Sequence, residues 1–179
     1  ELGSVDHWRL CLALVPRMKK DSLLDVRGGE FEDSMLGICL NVNEQQKLTT
    51  TTTFLLEFNI RIQLAEALIN AGADVNIQSF DMYTAPLMCA LGWAPTTFLE
   101  LLIAKGADVN QKGDVYACLW RAIVDGRRDH MKLLLDNKAD VNADTAFGRS
   151  ALSLVLLPRH EVTEITDETR YEMVKLLLE

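Results

Sequence analysis

Three stretches of this chain carry the same apolar stripe. Leu64, Ala65, Ala67 and Leu68 recur in pattern as Phe98, Leu99, Leu101 and Leu102, and again as His130, Met131, Leu133 and Leu134. The i, i+1, i+3, i+4 spacing puts each set on one face of a helix. The stripe is too narrow to make a core alone. Each stripe runs into one short segment: Ala-Gly-Ala-Asp-Val-Asn at 71–76, Lys-Gly-Ala-Asp-Val-Asn at 105–110 and Asn-Lys-Ala-Asp-Val-Asn at 137–142. Gly72 and Gly106 stand where such a helix ends in a left-handed residue, a conformation glycine adopts without a Cβ clash. Lys138 holds that place in the third copy and is expected to strain or reshape the cap.

A shorter helix precedes each of the last two stripes, Pro86 to Leu91 and Cys118 to Val124. Pro86 suits a first helical turn, where its missing N–H has no partner to lose. The unit is helix, turn, helix, loop, and units of this kind bury their apolar faces only by stacking. From Leu87 to Gly106 and from Leu119 to Lys138 the separation is 19 residues in both cases. The period shortens from 34 (72 to 106) to 32 (106 to 138), so the variation falls in the connecting loops.

The flanks keep the register through insertions. Ser150-Ala151-Leu152 opens a further unit, and Met173 to Leu178 supplies its second helix. Leu152 to Leu178 is 26 residues where the regular units have 16, which predicts a polar inter-helix loop around Arg159 to Asp167. Upstream, Ser34-Met35-Leu36 starts a unit whose second helix is Ile60 to Ile69, with 17 extra residues between. That insertion contains Thr49 to Thr53, a β-branched run and a poor helix interior, so a long loop is expected. Trp8 to Leu24 ends near Gly28-Gly29. The sequence therefore divides one domain into a degenerate cap over 5–29 and units at 34–76, 77–110, 111–142 and 143–179.

The Gly-Ala-Asp-Val-Asn segments, with Ala85-Pro86-Leu87-Met88-Cys89-Ala90-Leu91, resemble the ankyrin repeat family. Its unit runs Gly-x-Thr-Pro-Leu-His-x-Ala-Ala, then a second helix ending Leu-Leu-Leu, then Gly-Ala-Asp-Val-Asn. The resemblance is strong over 60–157 and weak in the flanks. It implies an all-α solenoid of stacked helix-turn-helix units joined by hairpin-like finger loops. The family's Thr is replaced by Ala85, Ala117 and Ser150, and its His by Met88, Trp120 and Ser153. Loss of that hydrogen-bonding pair implies heavier reliance on apolar packing, with Trp120 in the core. Such divergence is similar to that of pathogen effectors and viral ankyrin proteins.

The resemblance also implies a protein-binding scaffold or adaptor that works through its concave face. The family's contact positions fall on Asp81, Met82 and Thr84 in one finger, Asp114 and Tyr116 in the next, and Phe147 and Arg149 in the third. Trp93 and Asp125 stand at the inner-helix ends. Trp, Tyr and Arg are the usual anchors of protein interfaces; the alternative is that Trp93, Tyr116 and Phe147 fill gaps between units. The uneven fingers are either a tuned surface or drift in tolerant loops. Asn76, Asn110 and Asn142 are similar to ankyrin asparagines hydroxylated by the enzyme that acts on hypoxia-inducible factor, or they hold their turns by side-chain hydrogen bonds.

Composition removes several other function classes. With 49% hydrophobic and 25% charged residues the chain has the make-up of a folded domain. Its net charge of −8 repels phosphate backbones, so no nucleic acid partner is expected. No apolar run approaches the roughly 18 residues a bilayer span needs, so no membrane insertion is expected. Cys11, Cys39, Cys89 and Cys118 lack Cys-x-x-Cys spacing and read as buried reduced thiols of a cytoplasmic protein, or of the host cytosol if the chain is a secreted effector.

His7, His130 and His160 form no metal motif. His130 lies on an apolar stripe and is expected in the core, while His160 with Glu161, Glu164 and Asp167 reads as a solvated loop. Phosphate-binding and nucleophile motifs are missing, so no cofactor, metal or enzymatic activity is expected. The chain starts at Glu1 and its final helix runs to Glu179, so it is expected to be part of a longer polypeptide. The alternative to a scaffold is then the substrate-recognition part of a larger enzyme or effector whose active domain lies outside this chain.

Overall fold

A computed structural model of the chain describes residues 4–20, 23–25, 27–28, 33–40, 51–78, 85–111, 117–143, 148–156 and 165–179. Helices α1 (Ser4–Lys20), α2 (Met35–Leu40), α3 (Thr51–Ala71), α4 (Pro86–Leu91) and α5 (Thr96–Ala104) are followed by α6 (Cys118–Val124), α7 (Arg128–Asp136), α8 (Ala151–Val155) and α9 (Asp167–Leu178). The short helices α2, α4, α6 and α8 stack into an inner row; α1, α3, α5, α7 and α9 form the outer row. A minimal antiparallel pair, β1 (Arg27–Gly28) and β2 (Asp33–Ser34), joins α1 to α2 with Arg27 opposite Ser34. The fold is an all-α solenoid, with that two-residue ladder as its β component among the described residues.

Stacking is carried by the stripes seen in the sequence. Leu64, Leu68, Phe98, Leu99, Leu102, Met131 and Leu134 are buried, and with Leu87, Leu91, Leu119 and Ile123 of the inner row they form one continuous core. The outer helices α3, α5 and α7 close with the same bond: Ala73 N to Leu68 O at 3.0 Å, Ala107 N to Leu102 O at 3.0 Å and Ala139 N to Leu134 O at 2.9 Å. The residue between is left-handed in all three, Gly72 at φ 106°, Gly106 at 93° and Lys138 at 67°. Lys138 thus keeps the cap's shape and carries its cost as backbone strain.

The upstream insertion differs from expectation. The outer helix α3 begins at Thr51 and not near Ile60, so it runs 21 residues where α5 and α7 run nine each. Thr51 to Thr53 occupy its first turn, where the penalty on β-branched side chains against a preceding turn is small. The long α3 supports α1 along its side. There Arg61 is buried, donating from Nε to Cys39 O at 3.1 Å, with its guanidinium 5.0 Å from the Trp8 ring centre. One buried cation thus ties α1, α2 and α3 together. At the other flank α9 starts at Asp167, capped by Thr166, and residues 157–164, with His160, Glu161 and Glu164, lie outside the described residues.

Two cysteines depart from the expectation of full burial. Cys39 and Cys118 are buried, and burial pushes each thiol up to about 12. Cys11 and Cys89 are only half-buried, because α1 lies at the edge of the stack and Cys89 on the open side of the inner row.

Candidate partner-binding face

Two sets of hydrogen bonds fix the units in register, one at each edge of the stack. At the finger edge, Asn76 accepts from Asp108 N at 2.8 Å and donates from Nδ2 to Gly106 O at 2.9 Å. Asn110 repeats this on the following unit, accepting from Asp140 N at 2.7 Å and donating to Lys138 O at 3.2 Å. Within each segment the aspartate folds the turn: Asp74, Asp108 and Asp140 each accept from the backbone N–H two residues on, at 2.9 Å. Asp25 completes the series upstream by accepting from Asp74 N at 2.8 Å. The cap therefore engages the next unit as the true repeats do, with a carboxylate where they have an amide. Leu24-Asp25 stands at the place of Val75-Asn76, a match the sequence contains but the Asp conceals.

At the opposite edge, side chains from one unit satisfy carbonyls left open at the inner-helix ends of the unit before. Trp93 Nε1 donates to Leu40 O at 3.1 Å, Arg127 Nη2 to Gly92 O at 2.9 Å, and His130 Nδ1 to Leu91 O at 3.1 Å. These are the C-terminal carbonyls that a helix cannot pair internally. Burial is the main cause that lowers the His130 pKa below its ordinary value, so the ring is held neutral as a donor.

Between these edges lies the inner row. Its positions at Pro86, Leu87, Ala90 and Leu91, and at Cys118, Leu119, Ala122 and Ile123, are buried between units. Met88, Cys89, Trp120, Arg121 and Asp125 are left half-buried or exposed. Trp120 is thus partly open, and not fully in the core, because the inner row is covered on one side only. Arg121 donates from Nε to Asp125 Oδ2 at 2.6 Å, and its guanidinium lies over Gly92 so closely that a Cβ there would stand 2.9 Å from Nη2. A side chain at 92 would displace the guanidinium from this position.

Of the expected contact residues, the structure places Trp93, Asp125 and Arg149. Arg149 is exposed ahead of α8, Asp125 closes α6, and the half-buried Trp93 ring meets Phe58 edge-on with centroids 5.2 Å apart. Asp81, Met82, Thr84, Asp114, Tyr116 and Phe147 lie outside the described residues. Sequence reasoning did not find Arg121, Phe58 or Arg61. The i, i+4 spacing of Arg121 and Asp125 was a usable signal for the first.

A family profile described as ankyrin repeats, three copies, matches residues 56–145, just over half of the chain. The chain belongs to the ankyrin repeat family. A curated relative is the ankyrin repeat protein FPV024 of fowlpox virus, strain NVSL, 28% identical over 96 residues. Those residues are 52% of this chain and 16% of the viral protein's length. The matched span starts inside α3 and ends just past Asn142, so it covers the part built on the asparagine ladder. Ankyrin repeats in general mediate protein–protein interaction and are typically non-catalytic. No described helix is long and apolar enough to cross a membrane.

Proposed function

We propose that this chain is a scaffold or adaptor module that holds a partner protein against its inner row and fingers. The observation that carries this is the Arg121–Asp125 pair laid over Gly92. It is a preorganised charged group at the junction of two units, and stacking does not need it. An exposed pair of this kind contributes about 0–1 kcal/mol to stability, so its use lies in what it presents. The finger residues Asp81, Met82, Thr84, Asp114, Tyr116, Phe147 and Arg149 would extend the same face, with Trp93 at its border. Its cysteines, present as thiols without Cys-x-x-Cys spacing, support placing the module in the cytosol. The short share of the fowlpox protein that it matches supports a role as the recognition part of a larger protein.

The test is affinity capture from the native cell with quantitative mass spectrometry, comparing the wild-type chain with Arg121→Glu. The expected result is a partner depleted roughly tenfold or more by the substitution, with the thermal midpoint nearly unchanged. Equal recovery by both chains would place the partner elsewhere.

A second reading is asparaginyl hydroxylation at Asn76, Asn110 and Asn142. Asn76 and Asn110 each spend both side-chain atoms on the next unit, and those bonds have to open before either is modified. Intact mass and peptide mapping after co-expression with such a hydroxylase should show one added oxygen per modified asparagine, and an unmodified chain would exclude it.

A further inference from the structure

The turns from inner to outer helices lie at the edge opposite the fingers, and there they line an open cavity of about 580 Å³. Phe58, projecting from the extended part of α3, and Trp93 form one wall; Pro95, Arg127, Arg128, Asp129, His130 and Thr169 are among the residues that line the rest. Trp93 and His130 each donate a ring N–H to a backbone carbonyl, at Leu40 and Leu91, so the aromatic wall offers ring surface and the shape is held by the stack itself.

The charges at this cavity follow the usual rule for helix starts only in part. A helix N-terminus carries partial positive charge and favours acidic residues, as α9 shows with Asp167 and Glu168 behind the Thr166 cap. In α7 the N-cap is Arg127 and the first helical residue is Arg128, ahead of a single carboxylate, Asp129, with no side-chain cap bond, and α5 also starts without one. Arg128 is held loosely: Asp129 and Glu172 stand 4.0 and 3.9 Å from its guanidinium, at the outer limit of an ion pair. In a chain of net charge −8, two arginines beside one lining carboxylate thus meet an aromatic wall at a helix start without a side-chain cap.

We propose that this cavity is a second docking site, for an acidic peptide segment of a partner protein. A carboxylate engages Arg128 and the start of α7, while a neighbouring apolar side chain lies on the Phe58–Trp93 wall. The aromatic wall argues against a bare inorganic anion, and the overall negative charge against a polynucleotide. The site lies across the stack from the fingers and meets the inner-row face only at Trp93.

The test is selection of a random peptide library displayed on phage against the whole chain. Enriched peptides are then measured by fluorescence anisotropy on the wild type, Arg128→Ala, Phe58→Ala and Arg121→Ala. Enriched sequences should pair Asp or Glu with an apolar residue. Their affinity should fall about tenfold in Arg128→Ala and in Phe58→Ala, and stay unchanged in Arg121→Ala. If Phe58→Ala does not fold, Phe58→Leu keeps the apolar wall and should retain binding while Arg128→Ala loses it. The proposal is overturned by a library that yields no enrichment, by enrichment without acidic residues, or by affinity unchanged in Arg128→Ala. It also fails if inorganic phosphate at about 1 mM competes fully with a peptide whose apolar residue is dispensable. Loss in Arg121→Ala alone would assign the peptides to the inner row.

Discussion

The two middle units and the unit at 148–179 hold apolar residues at the same places in the inner helix, and these residues are treated differently. Leu119 of α6 is 3% exposed, but Leu152 at the same position of α8 is 36% exposed. Four residues on, Ile123 is fully buried, whereas Leu156 is 61% exposed. The helices are alike and their neighbourhoods are not. Among the described elements of the inner row α6 has α4 on one side and α8 on the other, while α8 has α6 on one side and packs otherwise on α9 of its own unit. In this fold, burial is supplied by the adjacent unit, so stability is a property of interfaces more than of helices.

The strongest test of that difference is a matched pair of truncations followed by urea unfolding. Leu119→Ala should cost about 2–5 kcal/mol, as for a buried leucine in a close-packed core. Leu152→Ala should cost well under half of that, since much of its side chain already meets solvent. Equal losses would show that the exposed face of α8 is covered in solution.

Next in size is the asparagine ladder. Asn110→Ala removes two cross-unit bonds and leaves Asp140 N and Lys138 O to find water, at roughly 1–2 kcal/mol. Asn142→Ala, without such bonds among the described residues, should cost about half as much or less. A loss at Asn142 as large as at Asn110 would mean that it bridges onward as the others do.

The ladder also shows what was readable from the chain and what was not. Helix positions in the middle units followed from the stripes, because a residue type and a period are enough to mark a buried face. The bonding partners of Asn76 and Asn110 did not follow, since 28 to 32 residues separate donor and acceptor and only the stacking distance brings them together. Asp25 was missed because the repeat was sought as Asn, although a carboxylate accepts from a backbone N–H just as well. The start of α3 was placed near Ile60 instead of Thr51, because intrinsic propensity argues against a threonine run, a penalty that is small in the first turn of a helix. Of the site, Trp93, Asp125 and Arg149 were named from the family pattern. The partnership of Arg121 with Gly92 needed coordinates, since it depends on how one inner helix lies over the turn of another.

The middle units also differ from each other at one buried place, where α5 has Phe98 and α7 has His130. The folded chain lowers the His130 pKa, and an unfolded chain returns it to about 6.5. The unfolded state therefore binds the extra proton first. Stability from this residue is fully present above about pH 6.5 and is lost as the pH falls from there through the lowered folded value. Denaturation midpoints measured from pH 8 down to pH 5 should fall in the wild type and fall less in His130→Phe. The same slope in both chains would assign the pH dependence to other groups.

The smallest effect concerns the third helix cap. Gly72 and Gly106 reach their positive φ with nothing within 4 Å of where a Cβ would lie, so the backbone conformation alone sets the preference for glycine. Lys138 reaches φ 67° with the same two bonds, from its own N–H to Leu135 O and from Ala139 N to Leu134 O, both at 2.9 Å. A non-glycine residue in this region costs about 1 kcal/mol. Lys138→Gly should recover about 0.5–1 kcal/mol, and Gly106→Ala should lose a similar amount, both read by chemical denaturation. The two changes act on one conformation in opposite directions, so their sum in the double variant should lie near zero, the sites being separated enough to add. A loss at 106 without a gain at 138 would show that the lysine side chain, whose positive charge suits a helix C-terminus, offsets the backbone cost at 138.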